Sequence, residues 1–267
     1  MNTSTLNRTA AAFLFSLAAA CGLPPDESAE ATEPAAQEQE LVNTAPSLGA
    51  AAGFAVLGAS TVTCTNAASV GADVGVAPGS SITGFNPGCT TTGVIHAGDA
   101  VAVSGHAALG TAYNQLAGVA CEHNLTGRNL GGMTLSPGVY CFDSSAALDG
   151  QLRLDGRNKS DAKWIFKIAS TITTATNSSV VMVNKAQPCN VFWQVGSSAT
   201  LGTGTAFKGN LVAFSSITVT NGTSVVGRVL ALNGAVTLDH NEISLGTCSS
   251  GGGSGGGSGG GRPHGNR

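Results

Sequence analysis

Asp143, Asp149, Asp155 and Asp161 fall in one stretch of the chain, with Arg153 and Arg157 among them. Clustered acids with a basic residue, or with calcium, are what polysaccharide lyases and hydrolases on parallel β-helices use to move protons. Here, however, Asp155-Gly156-Arg157-Asn158 reads as a turn, and the charges alternate in sign as a solvated rim does. His96, His106, His123 and His240 are scattered, with neither Ser-His-Asp nor His-Glu-His spacing, so surface or structural roles are expected. Trp164 in WIFKI and Trp193 in VFWQV have the chemistry to stack on a sugar, but core packing is the simpler expectation. Six cysteines remain once Cys21 is set aside, an even number with no CxxC spacing, which points to disulfides rather than zinc.

The chemistry that recurs is the hydroxyl group. Residues 191–245, cut after Gly209 and Gly227, form three similar lines: VFWQVGSSATLGTGTAFKG, NLVAFSSITVTNGTSVVG and RVLALNGAVTLDHNEISL. Gly204, Gly209 and Ala213 recur eighteen residues later as Gly222, Gly227 and Ala231, and Thr200, Thr218 and Thr237 recur at eighteen and then nineteen. A fixed period of β-branched residues punctuated by Gly and Asn reads as one β-solenoid coil per repeat, and single coils must stack to bury their apolar side. Each line holds one alternating strand. Ala199 and Leu201, Ile217 and Val219, and Val236 and Leu238 would point inward. Ser198 and Thr200, Ser216 and Thr218, and Ala235 and Thr237 would then point outward in two columns. With strands about 4.8 Å apart, the outcome is a flat face of hydroxyls and methyls almost free of charge.

The rest of the chain must carry this stack. Residues 1–21 form a short, apolar leader ending in AAAC, which suits an export signal with a lipobox-like Cys21 as acceptor of a lipid. The usual Leu three places before that cysteine is Ala18, and secretion without an anchor is the competing expectation. Residues 22–46 carry six acids, no Lys or Arg, and much Pro and Ala, the composition of a disordered linker. Between 47 and 248 there are nine acids and nine Lys or Arg, so this domain is neutral and no nucleic-acid partner is implied. Residues 249–267 are a Gly/Ser-rich flexible tail. Within the domain, residues 50–63 read as strand and residues 74–85 as turn plus strand. From Asp99 to Ala120 the period changes: Ala102, Leu109, Ala112, Tyr113, Leu116 and Ala120 fall on one helical face, with Asp99 as N-cap and Gly105 and Gly110 as weak points. Residues 130–185 return to strands.

Six cysteines allow fifteen pairings. Cys64–Cys89 and Cys121–Cys141 each bracket a compact insertion, which leaves Cys189 with Cys248. A simple stack sets that last pair about three coils, or roughly 14 Å, apart, beyond a disulfide's reach.

Taken together, VFWQVGSSATLGTGTAF, LSPGVYCF, HAGDA and GRVLALNGAVTLDHN resemble the bacterial and fungal ice-binding protein family, once catalogued as a domain of unknown function. The resemblance runs from Leu48 to about Leu245. It implies a mostly β fold: a discontinuous right-handed parallel β-solenoid of triangular section, one long α-helix alongside, and an N-terminal coil docked next to the C-terminal one. It implies ice and its ordered water as partner, met by the Ser/Thr/Ala columns above and their continuation through Ser145 and Ala147, Thr171 and Thr173, and Thr61 and Thr63. No cofactor or metal is implied, and the protein is expected to act as an exported monomer. The readings to be separated are an ice-binding protein, a surface adhesin or structural solenoid without ice affinity, and a polysaccharide-acting enzyme.

The leader reading has a direct test. Cys21→Ala should move the protein from the membrane fraction to the soluble exported fraction, and equal solubility of both forms would contradict a lipid anchor.

Overall fold

The computed structural model describes residues 46–246 and Cys248; the expected leader with Cys21, the linker up to residue 45 and the tail from residue 249 lie outside the described residues. The chain first makes β1 (Phe54–Gly58), β2 (Thr61–Thr65) and β3 (Ser69–Val70), then β4 (Asp73–Val76), β5 (Ser81–Thr83) and β6 (Thr90–Thr91). After β7 (Ile95–Ala97) comes the helix α1 (Ala100–Gly118), followed by β8 (His123–Asn124) and β9 (Thr134–Leu135). Two regular turns follow: β10 (Gly138–Phe142), β11 (Ala146–Leu148) and β12 (Gln151–Asp155), then β13 (Trp164–Ile168), β14 (Ile172–Thr174) and β15 (Ser179–Val183). The last stretch holds β16 (Val191–Val195), β17 (Ala199–Leu201), β18 (Ala206–Ala213), β19 (Ile217–Val219), β20 (Ser224–Ala231), β21 (Val236–Asp239) and β22 (Glu242–Ser244).

Every named strand pair is parallel, and the coils run in turn through three faces, as in β10, β11 and β12. The first face runs β8, β10, β13, β16, then the C-terminal halves of β18 and β20, then β1, β4 and β7. The second is the seven-stranded sheet β11-β14-β17-β19-β21-β2-β5. The third runs β9, β12, β15, the N-terminal halves of β18 and β20, then β22, β3 and β6. The solenoid is discontinuous: β1, β2 and β3 pair with β20, β21 and β22, so the N-terminal coil sits on the C-terminal one, as the resemblance implies.

The repeat boundaries read from the sequence are corners rather than breaks. β18 and β20 pass from third face to first at Gly209 and Gly227, both at positive φ. A Cβ on Gly227 would collide with the Gly209 carbonyl, so the corner needs glycine. Residues 50–53, expected to be strand, belong instead to a 3-10 helix, Gly49–Gly53, whose Ala51 packs under α1. A run of Ala and Gly offers little of the β-branched bulk that a strand uses.

Inside the coils, large side chains stack along the axis. Tyr140, Phe166 and Trp193 are in register on adjacent strands, with ring centroids 5.6 and 3.9 Å apart, and Trp193 tilts onto Phe207 at 5.1 Å. Trp164 and Trp193 are fully buried, and their indole N–H groups donate to the carbonyls of Leu135 and Lys208. Both are core residues, as expected.

A second core lies between the first face and α1. Strands β10 and β16 are buried throughout, because one side meets the coil interior and the other meets Leu109, Ala112, Tyr113 and Leu116 of the helix. Asp99 caps the helix, its side chain accepting from the Ala102 amide at 2.9 Å. That bond and then the His96 imidazole hold the Asp99 carboxyl below the ordinary aspartate value. A depressed acid stabilises the fold fully above its unfolded value, and its contribution is lost as pH falls through the lowered folded one. The helix ends at Gly118, so Ala120, assigned to its buried face from the spacing, is exposed beyond it.

All three expected disulfides are present, with Cα–Cα distances of 6.3 Å for Cys64–Cys89, 5.9 Å for Cys121–Cys141 and 6.0 Å for Cys189–Cys248. The 14 Å objection to the third pair fails because neither cysteine lies on a strand of the stack. Cys189 sits in the 3-10 turn Pro188–Asn190, which packs over the outside of β18 and β20, and Gly246 comes down beside Pro188 to meet it.

Gly105 was expected to weaken the helix, but it is buried against the first face. A Cβ there would meet Phe54 at 2.5 Å, and Phe54 is already held from its other side by the space Gly75 leaves. Gly105→Ala should therefore destabilise the domain by about 1–2 kcal/mol net, even though Ala is the better helix former by about 1 kcal/mol. Urea unfolding checks this; a stabilised variant would contradict it.

Candidate functional site

The three faces differ in what they show to solvent. The first is covered by α1. The third carries Arg153, Asp155, Lys208 and Glu242 among outward Val181, Val183 and Val226. Among the described residues, the second has neither a covering element nor charge along its two central columns.

Short strands with an alternating burial pattern build that second face. Ala199 and Leu201, Ile217 and Val219, and Val236 and Leu238 are fully or almost fully buried, and each residue between them faces out. Pairing then fixes the first column: Ala147, Thr173, Thr200, Thr218, Thr237, Thr63 and Thr83 are direct partners from strand to strand. Two residues before each of these lies the second: Ser145, Thr171, Ser198, Ser216 and Ala235, each just ahead of its strand, and Thr61 and Ser81 on β2 and β5. All twelve residues picked from the sequence thus lie on or at the edge of one face, seven on its strands and five just ahead of them. At about 4.8 Å per strand, the seven strands span roughly 29 Å along the axis.

Ser81 and Thr83 were missed. Residues 74–85 were read only as turn plus strand, although Ser80-Ser81-Ile82-Thr83 repeats the Ser215-Ser216-Ile217-Thr218 of the central coil. In the structure β5 is the outermost strand of the sheet, with Thr61 opposite Ser81 and Thr63 opposite Thr83.

The hydroxyls divide by role. Some bind across the sheet: Thr171 donates to Ser145 at 2.9 Å, and Ser216 accepts from the Ala235 amide at 3.1 Å. Among the described residues, no protein hydrogen bond is made by the hydroxyls of Thr173, Thr200, Thr218 or Thr237, so the middle of the first column presents them to solvent. Thr residues turned inward are satisfied instead, as where Thr174 meets Thr205 at 2.8 Å. A half-exposed Thr held by the register offers a methyl and a hydroxyl at a fixed place. Neither is a nucleophile without a base, and no titratable side chain stands in either column.

The four aspartates do not converge. Asp143 follows β10, Asp149 follows β11, and Asp155 and Asp161 share the connection from β12 to β13, so the four are spread over the three corners of a single coil. Asp143 accepts from Asn124, and Asp155 accepts from the Arg157 amide and Asn184, which hold its carboxyl below the ordinary value. Among the described residues no three His, Cys, Asp or Glu groups form a metal-sized cluster. The histidines are tied to local structure: His96 to Asp99, His106 to the Leu232 carbonyl, His240 to the Asn66 carbonyl, and His123 stacked on Tyr140.

The family described as ice-binding-like matches residues 56–244. The chain belongs to the ice-binding-like family. An ice-binding protein of Nostoc sp. (strain HG1) is 52% identical over 198 residues, covering 74% of this chain and 73% of that one. A crystal structure of an ice binding protein from an Antarctic biological consortium superposes with a TM-score of 0.74 at 40% identity, covering 76% of this chain and 92% of the other. That of the ice-binding protein from the Antarctic ascomycete Antarctomyces psychrotrophicus gives 0.73 at 38% identity, covering 76% and 98%. The fold of this ice-binding-like domain is thus shared with the fungal protein and with that of the consortium.

The uncharged columns carry a pH consequence. Whatever surface they recognise, recognition should be constant from about pH 5 to 9, since nothing in them titrates. A binding curve with a midpoint near the ordinary histidine value, about 6.5, would move the site elsewhere.

Proposed function

We propose that this protein is exported and adsorbs to ice through the second face, without catalysis. The observation that carries the reading is the in-register pair of columns, Ser145, Thr171, Ser198, Ser216, Ala235, Thr61 and Ser81 beside Ala147, Thr173, Thr200, Thr218, Thr237, Thr63 and Thr83. The ice-binding names of its relatives agree with it. The spread of the four aspartates over three corners, with only Asp155 and Asp161 on the same one, supports binding over sugar cleavage. Three disulfides support an exported protein, since such bonds persist in oxidising compartments. In this reading the protein is a monomer, an acyl chain on Cys21 would hold it at the cell surface, and residues 22–46 would act as linker.

The mechanism is preorganisation. Each contact between a threonine and lattice water is weak, but a face already rigid loses little entropy on adsorption, so many contacts add over its area. Methyls order the neighbouring water, and hydroxyls such as that of Thr218 anchor it where it merges with the lattice. Adsorbed molecules pin the ice front, and growth between them is forced into a curved surface that is harder to extend.

The test is a protrusion at the centre of the sheet. Thr218 is flanked by Thr200 and Thr237, and its neighbours Ile217 and Val219 carry the core. Thr218→Tyr should leave stability within about 0.5 kcal/mol, as for an exposed site. Inhibition of ice recrystallisation should fall sharply, because one ring lifts several columns from the lattice. Lys208→Tyr, on the third face, should keep both stability and activity. An active, folded Thr218→Tyr beside an inactive Lys208→Tyr would place the site on the wrong face.

A further inference from the structure

One inward position along the second face is held by Leu148, Leu201, Val219, Leu238 and Cys64, yet on β14 it is Thr174, only 2% exposed. A buried hydroxyl in an apolar column needs partners, and here they lie where the ladder between coils thins. β14 and β17 pair at Ile172–Ala199 and Thr173–Thr200 and stop there, although Leu148 pairs with Thr174 on one side and Leu201 with Val219 on the other. On the third face β12 and β15 pair from Gln151–Ser179 to Asp155–Val183. Among the described residues, β15 and β18 then meet only at Ser179–Ala206. On the first face β13 and β16 stay paired from Trp164–Val191 to Ile168–Val195. A seam therefore runs between these two coils, thin on two faces and fully laddered on the first.

One chain of hydrogen bonds closes it. In the coil before, the Ala175 amide donates to the Leu148 carbonyl at 2.8 Å, and in the coil after, the Thr220 amide donates to the Leu201 carbonyl at 3.0 Å. The matching amide at the seam, that of Gly202, donates instead to the Thr174 hydroxyl at 2.8 Å. The Thr205 hydroxyl donates to the Ala175 carbonyl at 3.3 Å, and each hydroxyl has one hydrogen, so Thr174 donates to Thr205 at 2.8 Å. All three bonds cross from one coil to the other, and Thr205 is fully buried.

Resting on the ice reading above, we propose that Thr174 and Thr205 are positioning residues of the hydroxyl face. They lock the seam, and so hold Thr173 beside Thr200 and the Ser145–Thr171 end of the face in line with the rest. Neither touches ice. Without their bonds the two blocks of coils would pivot on the β13–β16 ladder, and adsorption would have to order them, which weakens it.

Thr223 supplies the matched control. It is fully buried at the same corner and donates to the Gly202 carbonyl at 2.9 Å, but there the backbone bond from Thr220 to Leu201 is intact. The test compares Thr174→Val, Thr174→Ser and Thr223→Val with wild type by amide exchange, thermal midpoint and recrystallisation inhibition, the last far below every midpoint. In Thr174→Val the Gly202 amide should exchange at least about tenfold faster while that of Thr220 is unchanged. The concentration that stops recrystallisation should rise about fivefold or more. Thr174→Ser should match wild type in both. Thr223→Val should lower the midpoint as Thr174→Val does, yet keep activity within about twofold. Equal loss of activity in the two valine variants, or full activity in a folded Thr174→Val, overturns the positioning role. Gly202 and Thr220 amides speeding up alike overturns the seam. If Thr174→Val does not fold, Thr205→Val cuts the same chain and is judged on activity against Thr223→Val. Wild type that leaves recrystallisation unchanged overturns the ice reading itself, and amide exchange then still decides the seam.

Discussion

The constraint on which the rest depends is the parallel, in-register backbone ladder between successive coils. It leaves no freedom in where a side chain goes: a residue at one position of a strand lies directly over the residue at the same position of the next. Thr173, Thr200, Thr218 and Thr237 form a column because β14, β17, β19 and β21 are paired without slip. A slip of one residue would send these threonines into the core and Ile217 and Val236 to solvent, so burial of the apolar set enforces the register. The binding face and the core are two sides of one pattern.

The same ladder explains the helix and the discontinuity. Strands buried on both sides need a second apolar layer, and α1 supplies it for the first face alone. The N-terminal coil then completes the stack by pairing β1, β2 and β3 against β20, β21 and β22, which lengthens the hydroxyl sheet by two strands, β2 and β5. The aromatic series Tyr140, Phe166 and Trp193 fills the coils at the other end of the axis. Where smaller residues take over, as at Leu211 and Val229, the column continues with aliphatic side chains.

How much of this the sequence showed depends on the range of the interaction. Residues 191–245 repeat locally, so three coils and their outward residues were legible from the spacing alone. The helix was legible from its period, and its cap from Asp99. What stayed hidden is long-range. Ser81 and Thr83 join the face through a pairing with β2, itself docked on β21 more than a hundred residues away, and no period announces that. The role of Gly105 is set by Phe54, and the closeness of Cys189 and Cys248 by an excursion outside the stack, so neither follows from local pattern. The strand expected at residues 50–53 failed for the opposite reason: small residues fit wherever packing needs them.

The most direct measurement of the central claim is ice-affinity partitioning of the purified wild-type domain. Ice is grown slowly into a dilute solution, and protein is assayed in the crystal and in the liquid left behind. An in-register hydroxyl face that matches ice should concentrate the protein in the crystal. Rejection into the liquid, to the same extent as an unrelated folded protein, would contradict the account.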